Sequence, residues 1–175
     1  SETLNRYPDL DAIGAAGNTR AFSPDEMEAE LSPAFEALRS LSPRHIHYKV
    51  CSTFDSSPTR GSIGRAIDIG RRVVGSSYVP VLAAAPSLGR YCAFGHLFAA
   101  AGIGFDGQVY RLDRHPSAST HPTTPMRESD LRIHLGRQTE AEIASFDLTN
   151  FELPAAEQRQ RLDQLLEQGT AVILF

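Results

Sequence analysis

Apolar residues recur along this chain in two registers. Short apolar runs bounded by Gly, Pro, Ser and Asn alternate with longer stretches in which apolar positions return every three or four residues. The first register fits strands and the second fits amphipathic helices, so their alternation favours βαβ units. The expected order starts with the run "LDAIGAAG" (10–17), then a helix through "PDEMEAELSPAFEALRSL". Ser23 is placed to cap that helix, Pro24 takes its first position, where a missing N–H is harmless, and Glu26 completes a capping box. "HIHYKVC" (45–51) reads as a strand, "SIGRAIDIGRRVV" (62–74) as a helix capped by Ser62, and "YVPVLAAAP" (78–86) as a further strand. From Tyr91 to Leu112 the rhythm breaks. There "YCAFGHLFAA" and "QVYRLD" are strand-like runs around "GIGFDG", the pattern of an inserted antiparallel hairpin. A Pro/His/Thr loop, "RHPSASTHPTTPM", precedes a helix near Glu128–Arg137, a strand "EIASFDL", a helix "AAEQRQRLDQLLEQG" closing at Gly169, and a last strand "TAVILF". The fold class is therefore α/β: a mostly parallel sheet with helices on both faces, a Rossmann-like three-layer arrangement carrying an antiparallel hairpin insertion. An opening without Met and a closing apolar strand read as the ends of a piece of a longer polypeptide.

Composition narrows the functions. At 175 residues with 41% apolar side chains, the chain is sized for one domain with a real core. A net charge of -4 argues against sequence-independent nucleic-acid binding. No basic amphipathic helix and no apolar run of about eighteen residues points to a membrane. A small-molecule partner is expected, and assembly into a homo-oligomer stays open. Cys51 and Cys92 are too few for a disulfide framework, and with no signal peptide the reading is cytoplasmic.

Several motifs fall to simpler explanations. "GIGFDG" matches the dinucleotide fingerprint by letter, but a strand-like run follows it where a helix is required, so its glycines read as turn residues. No phosphate-cradling loop of the G-x-x-x-x-G-K type occurs. Cys92 with His96, and His115 with His121, lack the paired spacing of a structural zinc site, so no metal is assigned.

The one lysine among sixteen arginines, Lys49, is the sharper signal. In "HIHYKVC" it shares a strand face with His45 and His47, and the strand runs into "STFDSSPTRGS", a loop crowded with hydroxyls. The carboxyl edge of a sheet is where α/β proteins bind ligands, and the next helix offers free N–H groups that favour an anion. A lysine there is a point charge for a carboxylate or a phosphate. The plainer alternative is a surface lysine that snorkels from a strand edge.

"YKVCSTFDSSP…GSIGRAIDIG", "APSLGRY" and "YRLDRHPSASTHPTTPMRESDL" resemble the amino-terminal domain of the four-carbon acid sugar kinase family, over nearly the whole chain. The resemblance implies a substrate-binding α/β domain facing a carboxyl-terminal nucleotide-binding domain. In that family ATP phosphorylates a hydroxyl of threonate, erythronate or a related acid, so ATP and Mg²⁺ are expected on a domain outside this chain. It implies an acid-sugar site lined by Lys49, Ser52 and Thr53, with Arg20 from "GNTRAFSPDEM" and Arg90 from "APSLGRY". His115, His121, Thr124 and Met126 fall in a loop bordering the same cleft. No residue is assigned as catalytic. Two departures set this chain apart: Cys51 and "FDSSPTRG" replace the family's aspartate and Leu-Arg-Gly, and the family's opening Asp-Asp-x-Thr-Gly strand has no match. The domain therefore spans 1–175 and reads as a fragment lacking its first strand and the nucleotide-binding domain, inactive alone. A noncatalytic sugar-acid-binding or regulatory module is the alternative.

Overall fold

Two small sheets share one core with the helices that cover them. The computed structural model of the protein describes residues 9–102 and 107–175. Its elements are α1 (Pro24–Ser40), α2 (Ile63–Val74), β1 (Val79–Val81), β2 (Arg90–Ala93), β3 (His96–Ala100), β4 (Val109–Arg111), α3 (Leu131–Gly136), β5 (Ile143–Ser145), α4 (Leu148–Phe151), α5 (Ala155–Glu167) and β6 (Val172–Leu174). Helix α1 starts where expected. Ser23 N–H donates to Glu26 at 2.7 Å and its Oγ accepts from Glu26 N–H at 3.4 Å, closing the capping box.

The first sheet is parallel, in the order β1-β6-β5, with Val172 opposite both Val79 and Ile143. Strand β6 is central and fully buried, which is why its sequence is continuously apolar rather than alternating. The second sheet is antiparallel, in the order β2-β3-β4. The run 91–100, expected as a single strand of a hairpin, is itself a hairpin: Phe94 and Gly95 turn the chain with φ of 52° and 81°. Two consecutive positive φ values are those of a type I′ turn. Phe-Gly lacks the usual Asn-Gly signal, so the insertion is a three-stranded meander where a hairpin was expected. Residues 103–106 of "GIGFDG" lie outside the described residues, yet Ala100 pairs with Val109 across it, so it joins antiparallel strands.

One core cluster gathers Ile63 and Ile67 of α2, Leu97 and Ala99 of β3, Leu131 and Leu135 of α3, and Val172 and Leu174 of β6 around Phe54 and Met126. A second packs Met27, Leu31 and Phe35 of α1 on Ala66 and Ile69 of α2. No helix among the described residues is long and apolar enough to cross a membrane.

Two expected strands need correction. Residues 10–17 form no ladder, and Leu10 and Ile13 stand about half exposed, at 48% and 45%. Residues 45–51 keep the strand alternation without pairing. Ile46, Tyr48 and Val50 turn toward the two clusters, and His45, His47 and Lys49 turn outward. An apolar pattern selects a face, but a strand also requires a neighbour for its N–H and C=O groups, and neither run finds one among the described residues. The helix expected near Glu128–Arg137 is shorter, starting at an Asp130 cap that accepts from Arg132 N–H at 3.0 Å.

A clamp near the start of α2 fixes the turn that carries Arg20. The short turn Thr19–Ala21 is held by the loop before α2: Gly61 N–H donates to the Phe22 carbonyl at 2.8 Å and Arg60 donates to the Ala21 carbonyl. Gly61 has φ of +57°, and a Cβ there would meet the Arg20 carbonyl oxygen at 2.4 Å. Gly75, which ends α2 at φ of +80°, has open space around a built Cβ. Gly75→Ala is expected to cost about 1 kcal/mol, the strain of a left-handed residue alone. Gly61→Ala should cost at least about 1 kcal/mol more by urea unfolding, because the clamp must also open. Equal losses would show that the clamp does not constrain the turn.

Candidate functional site

Asp55 is the residue on which three separate segments meet. It sits in the loop between the extended run 45–51 and α2, with 2% of its side chain exposed. Arg20, presented by the clamped turn, donates from Nε to Asp55 Oδ2 at 2.8 Å and brings Nη2 to the same oxygen at 2.6 Å. Thr53 Oγ1 donates to Oδ1 at 2.9 Å, and Thr124 Oγ1 lies 3.4 Å from Oδ2. Cys51 Sγ reaches Thr53 Oγ1 at 3.2 Å. Burial pushes the Asp55 carboxyl up, but hydrogen bonds from Cys51, Thr53 and Arg20, with the arginine charge, outweigh it and hold the group below the usual carboxylate range. Arg20 keeps 58% of its side chain in solvent, so it caps a buried anion from the outside.

Behind Thr124 lies His121, whose Nδ1 accepts from Thr124 N–H at 3.1 Å. His115 opens the same loop, which Met126 N–H closes onto the Ala118 carbonyl at 2.9 Å. Its Nδ1 accepts from Ser117 and Ala118 N–H, both at 3.2 Å, so the ring proton belongs on Nε2. That nitrogen is buried and has no hydrogen-bond partner among the described residues.

Of the residues singled out in the sequence, the fold brings Arg20, Thr53, Thr124 and His121 into one connected network. Lys49 and Ser52 flank it in the chain; Lys49 is exposed and makes no ion pair among the described residues. Arg90 has another task. It is buried and donates from Nη1 to the carbonyls of Leu88, Gly89 and Ala100, contacts that hold the meander rather than Asp55. Asp55 itself escaped the sequence reading. Its signal was available: it is the sole acidic residue between Glu36 and Asp68.

A second polar network backs the first. Ser56 Oγ is 2.8 Å from His134 Nε2, and Gln138 Nε2 lies 3.1 Å from Ser56 Oγ and 3.0 Å from the same imidazole nitrogen. Gln138 Oε1 accepts from Ser62 Oγ and Gly64 N–H, each at 3.3 Å. Burial pushes His134 from 6.5 down to about 4, with the Arg137 charge adding to the shift and Glu128 opposing it.

No group of three or more His, Cys, Asp or Glu side chains that could hold a metal occurs among the described residues. The sole G-x-G-x-x-G joins β3 to β4 instead of leading into a helix, so this chain offers no nucleotide-phosphate cradle of that kind. The concave patch lined by Leu153, Glu157, Gln160, Arg161 and Gln164 includes none of the residues above.

The model of the "Sugar-binding N-terminal domain" matches residues 2–175, and the chain belongs to that family. It is 47% identical over 174 residues to a 3-oxo-isoapionate kinase of Paraburkholderia graminis, covering 99% of this chain and 36% of that protein. It is 33% identical over 168 residues to a 3-oxo-tetronate kinase of Methylobacterium radiotolerans, covering 96% and 37%. The chain thus spans little more than a third of the length of these relatives. A solved Haemophilus influenzae protein shares the fold with a TM-score of 0.79 at 21% identity, over 94% of this chain and 39% of that one. A Bordetella bronchiseptica domain of unknown function, solved with bound citrate as a domain-swapped dimer, aligns with a TM-score of 0.66 at 20% identity, over 99% and 38%.

Two losses of stability follow from these networks. Arg20→Ala leaves Asp55 buried without its counter-charge and is expected to cost about 1–2 kcal/mol in urea unfolding at pH 7. That is less than the 3–5 kcal/mol typical of breaking a fully buried pair, since the guanidinium is largely hydrated. The second is acid lability. His134 binds a proton less readily folded than unfolded, so stability is intact above about 6.5 and falls as pH drops toward 4. The expected loss over that window is roughly 3 kcal/mol. His134→Gln should remove most of that slope between pH 6.5 and 4.5, and an unchanged slope would mean that other groups carry it.

Proposed function

We propose that this chain is the acid-sugar-binding domain of an ATP-dependent kinase that phosphorylates a hydroxyl of a four-carbon sugar acid of the 3-oxo-tetronate type. The observation that carries this reading is the convergence of Arg20, Thr53 and Thr124 on the buried Asp55, six residues along the chain from the exposed Lys49, in a chain of the sugar-binding family. The names of the relatives support kinase chemistry on 3-oxo sugar acids. Such an acid carries one carboxylate and several hydroxyls, so its site requires a fixed cation together with short donors and acceptors.

Each side chain then has a role. Lys49, exposed and without an ion pair among the described residues, anchors the ligand carboxylate. Ser52 and Thr53 supply hydroxyls from the same loop. His115, whose ring proton is directed to Nε2, donates to a ligand oxygen, and His121 orients Thr124. Asp55 is an organiser rather than the base: a carboxylate held below its usual range and already occupied on both oxygens is a poor proton acceptor. Arg90 enters this reading only through the loop it ties down. In phosphoryl transfer much of the catalysis is positioning and charge neutralisation, and holding the acceptor hydroxyl is this chain's share. The nucleotide and its Mg²⁺ are assigned to the remaining two-thirds of a protein of the relatives' length.

The test is turnover. The intact protein with ATP, Mg²⁺ and a panel of four-carbon acids should release ADP with at least one 3-oxo or 2,3-dihydroxy acid. The 175-residue chain alone should release none. Lys49→Met is expected to weaken acid binding by about 1.5–3 kcal/mol, the range for a charge-assisted hydrogen bond, with the melting transition unchanged. Unaltered affinity by calorimetry would reject the anchor. Binding without turnover in the intact protein would favour the noncatalytic module.

A further inference from the structure

We infer that His134 and Gln138 are positioning residues for Asp55: together they fix the loop on either side of it and so keep its carboxylate in register with Arg20, Thr53 and Thr124. The inference rests on the acid-binding reading for its functional meaning, though not for its geometry.

Asp55 lies between two residues that are locked from the side of α3. Phe54 is 1% exposed, adopts the left-handed φ of 54°, and packs edge-on to the His134 ring with centroids 6.2 Å apart. Ser56 is 2% exposed and bonds to His134 Nε2 while its Oγ lies 3.1 Å from the Phe54 carbonyl. A non-glycine residue in the left-handed region costs of order 1–2 kcal/mol and persists only where its surroundings over-determine it. Gln138 extends the hold to the far end of the loop, through Ser62 and Gly64 at the start of α2. There the approach is so close that a Cβ on Gly64 would meet Gln138 backbone and side-chain atoms at 2.6 Å.

The network has a defined polarity. Gln138 Nε2 carries two donor hydrogens and no lone pair for the imidazole, so its 3.0 Å approach makes His134 Nε2 an acceptor, with the ring neutral and its proton on Nδ1. A charged imidazole would aim a donor at the Gln138 amide N–H, itself a donor. The charged groups acting on His134 are Arg137, which opposes its protonation, and Glu128, which favours it. From α2, Asp68 is taken by Thr139 at 2.6 Å. Around Asp55 the groups are Arg20, Thr53, Cys51 and Thr124.

A purely structural role for His134 predicts lost stability but an unaltered Asp55. Positioning predicts an altered Asp55 in a protein that is still folded. The measurement is the side-chain ¹³Cγ titration of Asp55 in the intact protein, assigned through Asp55→Asn. In the wild type its midpoint should lie below the ordinary aspartate value of 3.8. His134→Leu, which presents hydrocarbon to Ser56 and Gln138, should raise that midpoint by about one pH unit or more. His134→Gln, whose amide reaches the place of Nε2, should restore it. If His134→Leu does not fold, Gln138→Leu and Ser56→Ala carry the same expectation. An unmoved Asp55 midpoint in folded variants overturns the inference. Erythronate binding at pH 7 separates the two readings: a moved midpoint with a tenfold or greater loss of affinity supports both. A moved midpoint with unchanged erythronate affinity keeps the positioning role and removes Asp55 from the acid site.

Discussion

A carboxylate with 2% of its side chain exposed has to be neutralised where it stands, and much of this domain's local structure serves that end for Asp55. The counter-charge comes from Arg20, thirty-five residues away in sequence. It is delivered by a turn that must be held still, and Gly61 and Arg60 hold it by their bonds to Phe22 and Ala21. Thr19 adds a 2.8 Å hydrogen bond to the Tyr48 hydroxyl, which ties the same turn to the extended run bearing Lys49. The remaining lone pairs of Asp55 are met by Thr53 from its own loop and by Thr124 from a third segment. One buried charge thus sets the mutual placement of three stretches of chain.

This arrangement also explains how cations are used. Other arginines are committed to carboxylates: Arg65 and Arg72 to Glu28, Arg111 to Asp113, Arg132 to Asp130. Arginine suits such work because its planar fork binds more than one acceptor. Lys49, the single lysine, is exposed, just before the hydroxyl-rich loop in the chain. A compact charge that makes no ion pair among the described residues, a few positions before the loop that carries Asp55, is suited to a polyhydroxy acid's carboxylate.

Local signals were legible in the sequence because they act over a few residues. The Ser23–Glu26 capping box, the Ser62 cap and the continuously apolar β6 appear where the residues place them. Signals that depend on partners were not. The runs 10–17 and 45–51 have strand composition, but pairing is decided by what lies alongside, and the pattern of one strand carries no information about its neighbour. The Phe94-Gly95 turn was hidden because it replaces the usual Asn-Gly with a buried-type aromatic. At the site, Arg20, Thr53, Thr124 and His121 were reachable through family resemblance, whereas Asp55 fell within a departure from the family pattern. His134 and Gln138 were out of reach, since their partner Ser56 lies about eighty residues upstream.

A structure of the intact protein with a bound four-carbon acid is the most direct test of the claim that Asp55 organises an acid-binding site. The expected result is a ligand carboxylate within about 2.7–3.2 Å of Lys49 Nζ, ligand hydroxyls on the 52–53 hydroxyls, and the Arg20–Asp55 pair intact beneath them. A ligand seated elsewhere on the domain, with no contact to Lys49 or to the loop that carries Asp55, would contradict it.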